Sequence, residues 1–142
     1  RFVAECLLPT SRGEFRLRAY RHEGNGRSLE PVVMMADKTL PGSEGVPVRV
    51  HDQCLTSEVL GSLRCDCKQQ LELALDYINE HGGCIIYMQQ EGRGIGLANK
   101  VAAYALQDGG LDTVDANRHL GFEDDLRSYE AVEYILADMG IK

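Results

Sequence analysis

Three cysteines with metal-ligand spacing are the residues of this sequence best suited to chemistry. Cys54, Cys65 and Cys67 follow the pattern Cys-x10-Cys-x-Cys, and no fourth cysteine lies nearby in the sequence. A structural zinc site normally has four protein ligands, whereas a catalytic zinc site has three and leaves one position to water or substrate. The spacing therefore predicts an open zinc site of the catalytic type.

Other roles for these cysteines stay open at this point. Cysteine is often buried as a small hydrophobe, but Cys65 and Cys67 flank an aspartate and follow an arginine, which is a polar context. A disulfide would leave one of the three unpaired, and a nucleophilic cysteine would lack any local protease signature. The two remaining cysteines, Cys6 and Cys84, lie in apolar runs, and we expect both to be core residues.

A second candidate is the glycine-rich segment Glu91-Gly92-Arg93-Gly94-Ile95-Gly96, which lies between a predicted strand and a predicted helix. Backbone N–H groups and the helix dipole can bind an anion at such a position. The glycine spacing matches neither the Rossmann nor the Walker pattern, so a tight strand-to-helix turn is an equally good interpretation.

Polar residues further along are ambiguous when each is taken alone. Asp124, Asp125 and Arg127 precede a predicted helix, where acidic side chains are favoured by the helix dipole. His51 and His119 are isolated histidines, which are more often packed or surface residues than ligands.

Hydrophobic patterning predicts the elements that must position these residues. In the first fifty residues, Phe15, Leu17 and Ala19 alternate with Arg16, Arg18 and Tyr20, which is the period of two typical of a strand. Two further strand-like runs lie at 32–36 and 46–51. A turn at 24–26 precedes the first of these runs, and a loop at 41–45 separates the two. We expect an antiparallel or mixed sheet from these fifty residues.

Helical periodicity begins after the cysteines. The first predicted helix has Leu71, Ala74, Leu75 and Ile78 on one face and ends at Gly82-Gly83, and a strand follows at 84–88. The second predicted helix has Leu97, Val101, Ala105 and Leu106 on one face and ends at Gly109-Gly110. The third begins after an N-cap at Ser128, has Val132, Ile135, Leu136 and Met139 on one face, and ends at Gly140. The sequence therefore predicts one α/β domain over 1–142, with a mixed sheet, a β-rich N-terminal part and at least three helices.

Composition limits the classes of function. The net charge of −7 argues against a general nucleic-acid binder, and the apolar run 84–88 is far too short to span a membrane. Reduced thiols and the lack of a signal-peptide pattern favour the cytoplasm, or a plastid if the source is photosynthetic. Because the first residue is arginine rather than methionine, we expect a trimmed chain.

Several motifs, taken in order, resemble the GTP cyclohydrolase II family, whose members open riboflavin biosynthesis. The motifs are Arg49-Val50-His51 before Cys54-Leu55-Thr56, then Ser62-Leu63-Arg64-Cys65-Asp66-Cys67, Gln89-Gln90-Glu91-Gly92-Arg93-Gly94-Ile95-Gly96-Leu97, Tyr104-Ala105-Leu106-Gln107-Asp108 and Asp112-Thr113-Val114-Asp115-Ala116-Asn117. Because five separate motifs match in order along nearly the whole chain, the resemblance is far more specific than any single motif.

The resemblance implies a reaction and a set of catalytic groups. Members of the family hydrolyse GTP to a diamino-ribosylamino-pyrimidinone phosphate, releasing formate from C8 and pyrophosphate. The three cysteines would bind catalytic Zn²⁺, Asp125 would be the general base, and Tyr104 an active-site tyrosine. Arg127 matches the family's proposed nucleophile toward the α-phosphate, although a permanently protonated guanidinium suits a phosphate clamp better.

The resemblance also implies substrate contacts and partners. The matching GTP-binding positions are Arg49, Val50, His51, Asp52, Gln53, Gln70, Glu91, Gly92, Arg93 and Thr113. Mg²⁺ is expected with the GTP phosphates, a homodimer is implied, and fusion to an upstream dihydroxybutanone phosphate synthase domain is common in the family.

Two departures from the family pattern leave an alternative open. Family members usually carry glutamate immediately before the first zinc cysteine, where this chain has Gln53. The family also continues past Lys142 into a strand and a Thr-Asn-Asn-Pro-x-Lys segment that contacts GTP. The alternative is therefore a non-catalytic domain that binds GTP and zinc but lacks this C-terminal segment.

Overall fold

The computed structural model describes residues 1–24, 27–36, 39, 45–90, 97–110 and 129–141. The strands are β1 (Phe2–Thr10), β2 (Gly13–Tyr20), β3 (His22–Gly24), β4 (Arg27–Leu29), β5 (Val32–Ala36), β6 (Val48–Asp52) and β7 (Cys84–Met88). The helices are α1 (Leu55–Glu58), α2 (Cys67–His81), α3 (Leu97–Asp108) and α4 (Glu130–Met139).

The main sheet has five strands in the order β1-β2-β5-β7-β6, and β3 and β4 form a separate hairpin. Neighbouring strands of the main sheet are antiparallel except β6 and β7, which run parallel. Parallel neighbours need a long crossover, and here α1 and α2 lie between β6 and β7 in the chain. The predicted mixed sheet is confirmed, with the last strand before the cysteines beginning at Val48 rather than residue 46.

Helices cover both faces of this sheet. On one face, Phe15, Ala36 and Ile85 form a buried cluster with Ile78 of α2. On the other face, Tyr20 and the central strands pack against α4 through Ala131, Ile135 and Met139. Burial on both faces explains why β7 is a continuous apolar run rather than an alternating one. It also explains why Tyr20, which alternates with Phe15, Leu17 and Ala19 along β2 rather than sharing their face, is only 1% exposed.

The helix boundaries follow local backbone chemistry. Gly82 ends α2 with φ of 83°, and Gly140 ends α4 in the left-handed region with φ of 66°, a conformation that glycine adopts without strain. The predicted N-cap Ser128 lies outside the described residues. Sequence periodicity did not predict α1, because a single turn of four residues is too short to show a helical period.

The two cysteines outside the Cys-x10-Cys-x-Cys pattern differ in environment. Cys84 is fully buried in the interior strand β7, as expected for a core residue. The prediction for Cys6 is wrong, because its side chain is exposed. Cys6 lies on β1, which forms the edge of the sheet and has eight of its nine residues exposed. Across the described ranges, every helix is too short or too polar to cross a membrane.

Candidate metal centre

The three cysteines of the pattern meet at the carboxyl end of β6. Cys54 follows this strand and immediately precedes α1, Cys65 lies in the next loop, and Cys67 is the first residue of α2. Their sulfur atoms all lie within 4.8 Å of one another, and the Sγ atoms of Cys54 and Cys65 are 3.2 Å apart. Two helix beginnings and one strand end thus bring residues eleven and two positions apart into one cluster.

These donors fit a tetrahedral zinc ion. Zn–S bonds of about 2.3 Å at tetrahedral angles require sulfurs separated by about 3.8 Å, close to the spacing of this cluster. Thiolate ligands favour zinc over hard cations such as Mg²⁺. In the described part of the chain, these three are the one group of candidate ligands that converge in this way. A three-sulfur set leaves room for a fourth, non-protein ligand.

The thiols of the cluster differ in acidity. Burial raises the pKa of Cys54, but hydrogen bonds involving Cys65 and Lys100 outweigh it, and the pKa lies below its usual value. Burial, together with the neighbouring Cys65 and Cys54, raises the pKa of Cys67 to about 12. Without a metal, Cys54 is therefore a stronger acid than Cys67.

A buried carboxylate fixes the backbone of the first cysteine. Glu58 accepts hydrogen bonds from the backbone N–H of Cys54 (3.0 Å), the hydroxyl of Tyr87 (2.6 Å) and Nε2 of His51. Burial acts to raise the pKa of this carboxyl, but these three donors lower it overall. His51 also stacks on Tyr87, with ring centroids 5.5 Å apart. Glu58 therefore ties α1 to both parallel strands next to the cysteine cluster.

Helix α3 covers the cluster with a buried lysine. The Nζ atom of Lys100 lies 3.1 Å from the sulfur of Cys54, and the residue is 8% exposed. One turn further along α3, the ring of Tyr104 lies 5.7 Å from the same Nζ and 4.5 Å from the guanidinium carbon of Arg64. Arg64 also bonds to Asp108 near the end of α3 (2.5 Å). The predicted active-site tyrosine is thus adjacent to the cysteine loop.

Several predicted GTP-binding residues lie beside the cluster. The exposed Arg49 donates a hydrogen bond to Gln70 (2.9 Å), and Gln70 donates to Asp66 (2.8 Å), between two of the cysteines. Val50 packs against the core, and His51 is 3% exposed with its Nε2 on Glu58. The side chains of these last two residues are therefore committed to the protein interior.

The end of β6 joins α4 through Asp52. One carboxylate oxygen of Asp52 accepts from Gln90 (3.1 Å), and the other accepts from the hydroxyl of Tyr129 (2.8 Å), just before α4. The backbone N–H of Gln53 donates to the carbonyl of Met88, so the pairing of β6 with β7 continues to the residue before Cys54. The remaining predicted site residues, Glu91, Gly92, Arg93, Thr113, Asp125 and Arg127, lie outside the described residues.

Sequence reasoning missed three residues at this centre. Lys100 and Glu58 contact Cys54 directly, and Tyr87 donates a hydrogen bond to Glu58. The spacing of Lys100 and Tyr104, four apart on one predicted helix face, was a usable signal because such residues share a face. For Glu58 the local sequence carried no comparable signal, because its partners lie on two other elements.

An α/β domain with three convergent cysteines at a strand end, next to polar residues and a half-buried tyrosine, has a donor set for a metal ion beside groups that can contact a substrate. The family model for GTP cyclohydrolase II matches residues 1–142. The chain therefore belongs to the GTP cyclohydrolase II family, whose members are hydrolases.

Individual relatives agree with this assignment. GTP cyclohydrolase-2 of Campylobacter fetus is 51% identical over 135 residues, which are 95% of this chain and 67% of the relative. GTP cyclohydrolase-2 of Helicobacter pylori is 48% identical over 138 residues, 97% of this chain and 70% of the relative. The riboflavin biosynthesis protein RibBA of Thermotoga maritima is 48% identical over 139 residues, 98% of this chain and 34% of that longer protein.

Proposed function

We propose that this chain hydrolyses GTP in a zinc-dependent reaction, opening the imidazole ring at C8 and releasing formate and pyrophosphate. The reaction is the first step of riboflavin biosynthesis. The observation that carries the proposal is the convergence of the sulfurs of Cys54, Cys65 and Cys67 within 4.8 Å, in a chain of the GTP cyclohydrolase II family. Because the chain spans about two thirds of the single-function relatives, the whole protein's activity is inferred from them.

The three thiolates would hold the metal at the carboxyl end of β6. Bound Zn²⁺ supplies a Lewis acid and lowers the pKa of water, which water attack on a purine carbon requires. The same combination of cysteine ligands and water attack operates in nucleobase deaminases. Glu58 fixes the backbone of Cys54, so the first ligand is held in place before substrate arrives.

Residues around the cluster would bind and orient GTP. The exposed guanidinium of Arg49, aligned by Gln70, is suited to a phosphate group. Tyr104 is within reach of the cluster through Lys100 and could orient the purine as it reacts. Asp125 is proposed as general base and Arg127 as the group that clamps the α-phosphate. Mg²⁺ would neutralise charge on the departing pyrophosphate.

The metal role is tested by replacing one ligand. In protein loaded with Zn²⁺ and supplied with GTP and Mg²⁺, we expect Cys54→Ser to reduce formate release at least about a hundredfold, because loss of one thiolate weakens the metal site. Pyrophosphate release is measured in parallel, since the phosphate chemistry uses other residues. Cys6→Ser is the matched control, because Cys6 is an exposed cysteine on the edge strand β1.

Three outcomes discriminate between the possible functions. Formate release by wild type and by Cys6→Ser, with loss in Cys54→Ser, supports the proposal. Full formate release by a metal-free Cys54→Ser protein would show that the cysteines are not the hydrolytic centre. Stoichiometric zinc and GTP-induced thermal stabilisation without formate, in this chain and in a full-length relative, would identify a binding domain instead.

A further inference from the structure

A buried lysine beside the cysteine cluster needs a physical explanation. Lys100 lies on α3, is 8% exposed, and comes within 3.1 Å of the sulfur of Cys54 through its Nζ atom. Lysine is almost never buried without a compensating partner, because moving an ammonium group out of water is costly. A thiolate is such a partner, and hydrogen bonds between ionised groups are about twice as strong as neutral ones.

The charge of the metal site also favours a lysine ammonium group beside one of the thiolates. Three thiolates around a divalent ion would leave a formal charge of about minus one at a site where Cys54 is buried and the other two cysteines are half-buried, and burial penalises an uncompensated charge. A single ammonium group in contact with one of the sulfurs brings the sum to about zero. Contact with Cys54 places this charge on the ligand whose backbone N–H donates to Glu58.

We propose that Lys100 is a positioning residue of the metal site, which holds the sulfur of Cys54 by an N–H···S hydrogen bond and offsets the negative charge of the three thiolates. The inference rests on the proposed metal site. It adds a group on α3 to a cluster whose ligands all lie between β6 and α2. Metal binding is therefore coupled to the docking of α3, the helix that also carries Tyr104.

The test uses Co²⁺ as a spectroscopic substitute for zinc, without GTP. Removing the N–H donor raises the energy of the sulfur lone pair, so the sulfur-to-cobalt charge-transfer band of Lys100→Met should move to longer wavelength. Partners of metal ligands typically change metal affinity about 10-fold to 100-fold when they are lost, and we expect Co²⁺ binding by Lys100→Met to weaken by that factor. Lys100→Arg keeps the charge and the donors and should resemble wild type.

Two further variants keep the test decisive. Lys68→Met removes the same formal charge from an exposed residue next to the ligand Cys67, and should leave both the band and the affinity unchanged. If Lys100→Met does not fold, as judged by circular dichroism, Lys100→Gln replaces it. This variant keeps an N–H donor without the charge, and it should bind Co²⁺ more weakly while its band stays near the wild-type position.

The result that overturns the inference is a folded Lys100→Met that binds Co²⁺ with wild-type affinity and spectrum or, in its place, a Lys100→Gln that binds Co²⁺ with wild-type affinity. An effect in Lys68→Met equal to that in the Lys100 variant would also overturn it, because any nearby lysine would then suffice. Failure of the wild-type protein to bind Co²⁺ at all would instead reject the metal site, and with it the proposed function.

Discussion

Replacement of Glu58 tests whether the hydrogen bonds that it accepts beside the cysteine cluster stabilise the fold. Its side chain is 7% exposed and accepts hydrogen bonds from His51, Tyr87 and the backbone N–H of Cys54. Each hydrogen bond to a charged group is worth about 1.5–3 kcal/mol, so the loss of three would cost about 4.5–9 kcal/mol if nothing replaced them. Because water can enter the space left by the side chain, we expect Glu58→Ala to destabilise the fold by about 3–5 kcal/mol.

Glu58→Gln keeps the shape and should be much milder. The amide oxygen can accept from Tyr87 and from the Cys54 N–H, while the amide nitrogen donates to Nε2 of a neutral His51 that carries its proton on Nδ1. All three contacts then survive with weaker, uncharged bonds, so we expect a loss of about 1 kcal/mol. The difference between the two variants therefore measures the hydrogen bonds rather than the removal of an acidic residue.

The assay is urea unfolding followed by far-ultraviolet circular dichroism, because the chain contains no tryptophan to report on folding by fluorescence. The free energy of unfolding follows from the transition midpoint and slope. Glu80→Ala, at a glutamate with 78% of its side chain exposed, is the matched control and should change stability by less than about 0.5 kcal/mol. A loss below about 1 kcal/mol in Glu58→Ala, or an equal loss in both Glu58 variants, would refute the reasoning.

Two further predictions concern the fold. Gly83 has φ of +127°, and an added Cβ would lie 2.6 Å from the carbonyl oxygen of Pro47. Gly83→Ala should therefore lower the free energy of unfolding in urea by about 2–4 kcal/mol. Gly61 has φ of +74° and no atom within 4 Å of an added Cβ, so Gly61→Ala should lower the free energy of unfolding by about 1 kcal/mol. Equal losses in the two glycine variants would contradict the predicted clash with Pro47. Burial raises the pKa of Tyr20 from 10.0 to about 12. The protonated form is thus favoured in the fold, so about 3 kcal/mol of stability is present below pH 10 and lost as pH rises toward 12. The tyrosinate absorbance that develops near pH 12 should fall by one tyrosine in Tyr20→Phe, and an unchanged amplitude there would contradict the assignment.

Element types were predictable from the sequence because they depend on local periodicity. The apolar face of α2 and the run 84–88 signalled a helix and a strand, and glycines marked the ends of α2 and α4. Exposure was less predictable. Cys6 and Cys84 lie in similar apolar runs, yet Cys6 is exposed on the edge strand β1 and Cys84 is buried on the interior strand β7. Position within the sheet separates them, and strand order is a non-local property.

Some features of the candidate site could likewise be predicted from the sequence, and others depend on the tertiary structure. The sequence by itself supplied the three cysteine donors and the family, because ligand spacing and motif order can be read along the chain. The tertiary structure alone brought Lys100 to a sulfur 46 positions away, and joined Glu58 to a tyrosine 29 positions away. These contacts depend on how α1 and α3 dock beside the sheet. A buried charge finds its partner through that packing, and no periodicity along the chain encodes which partner it will be.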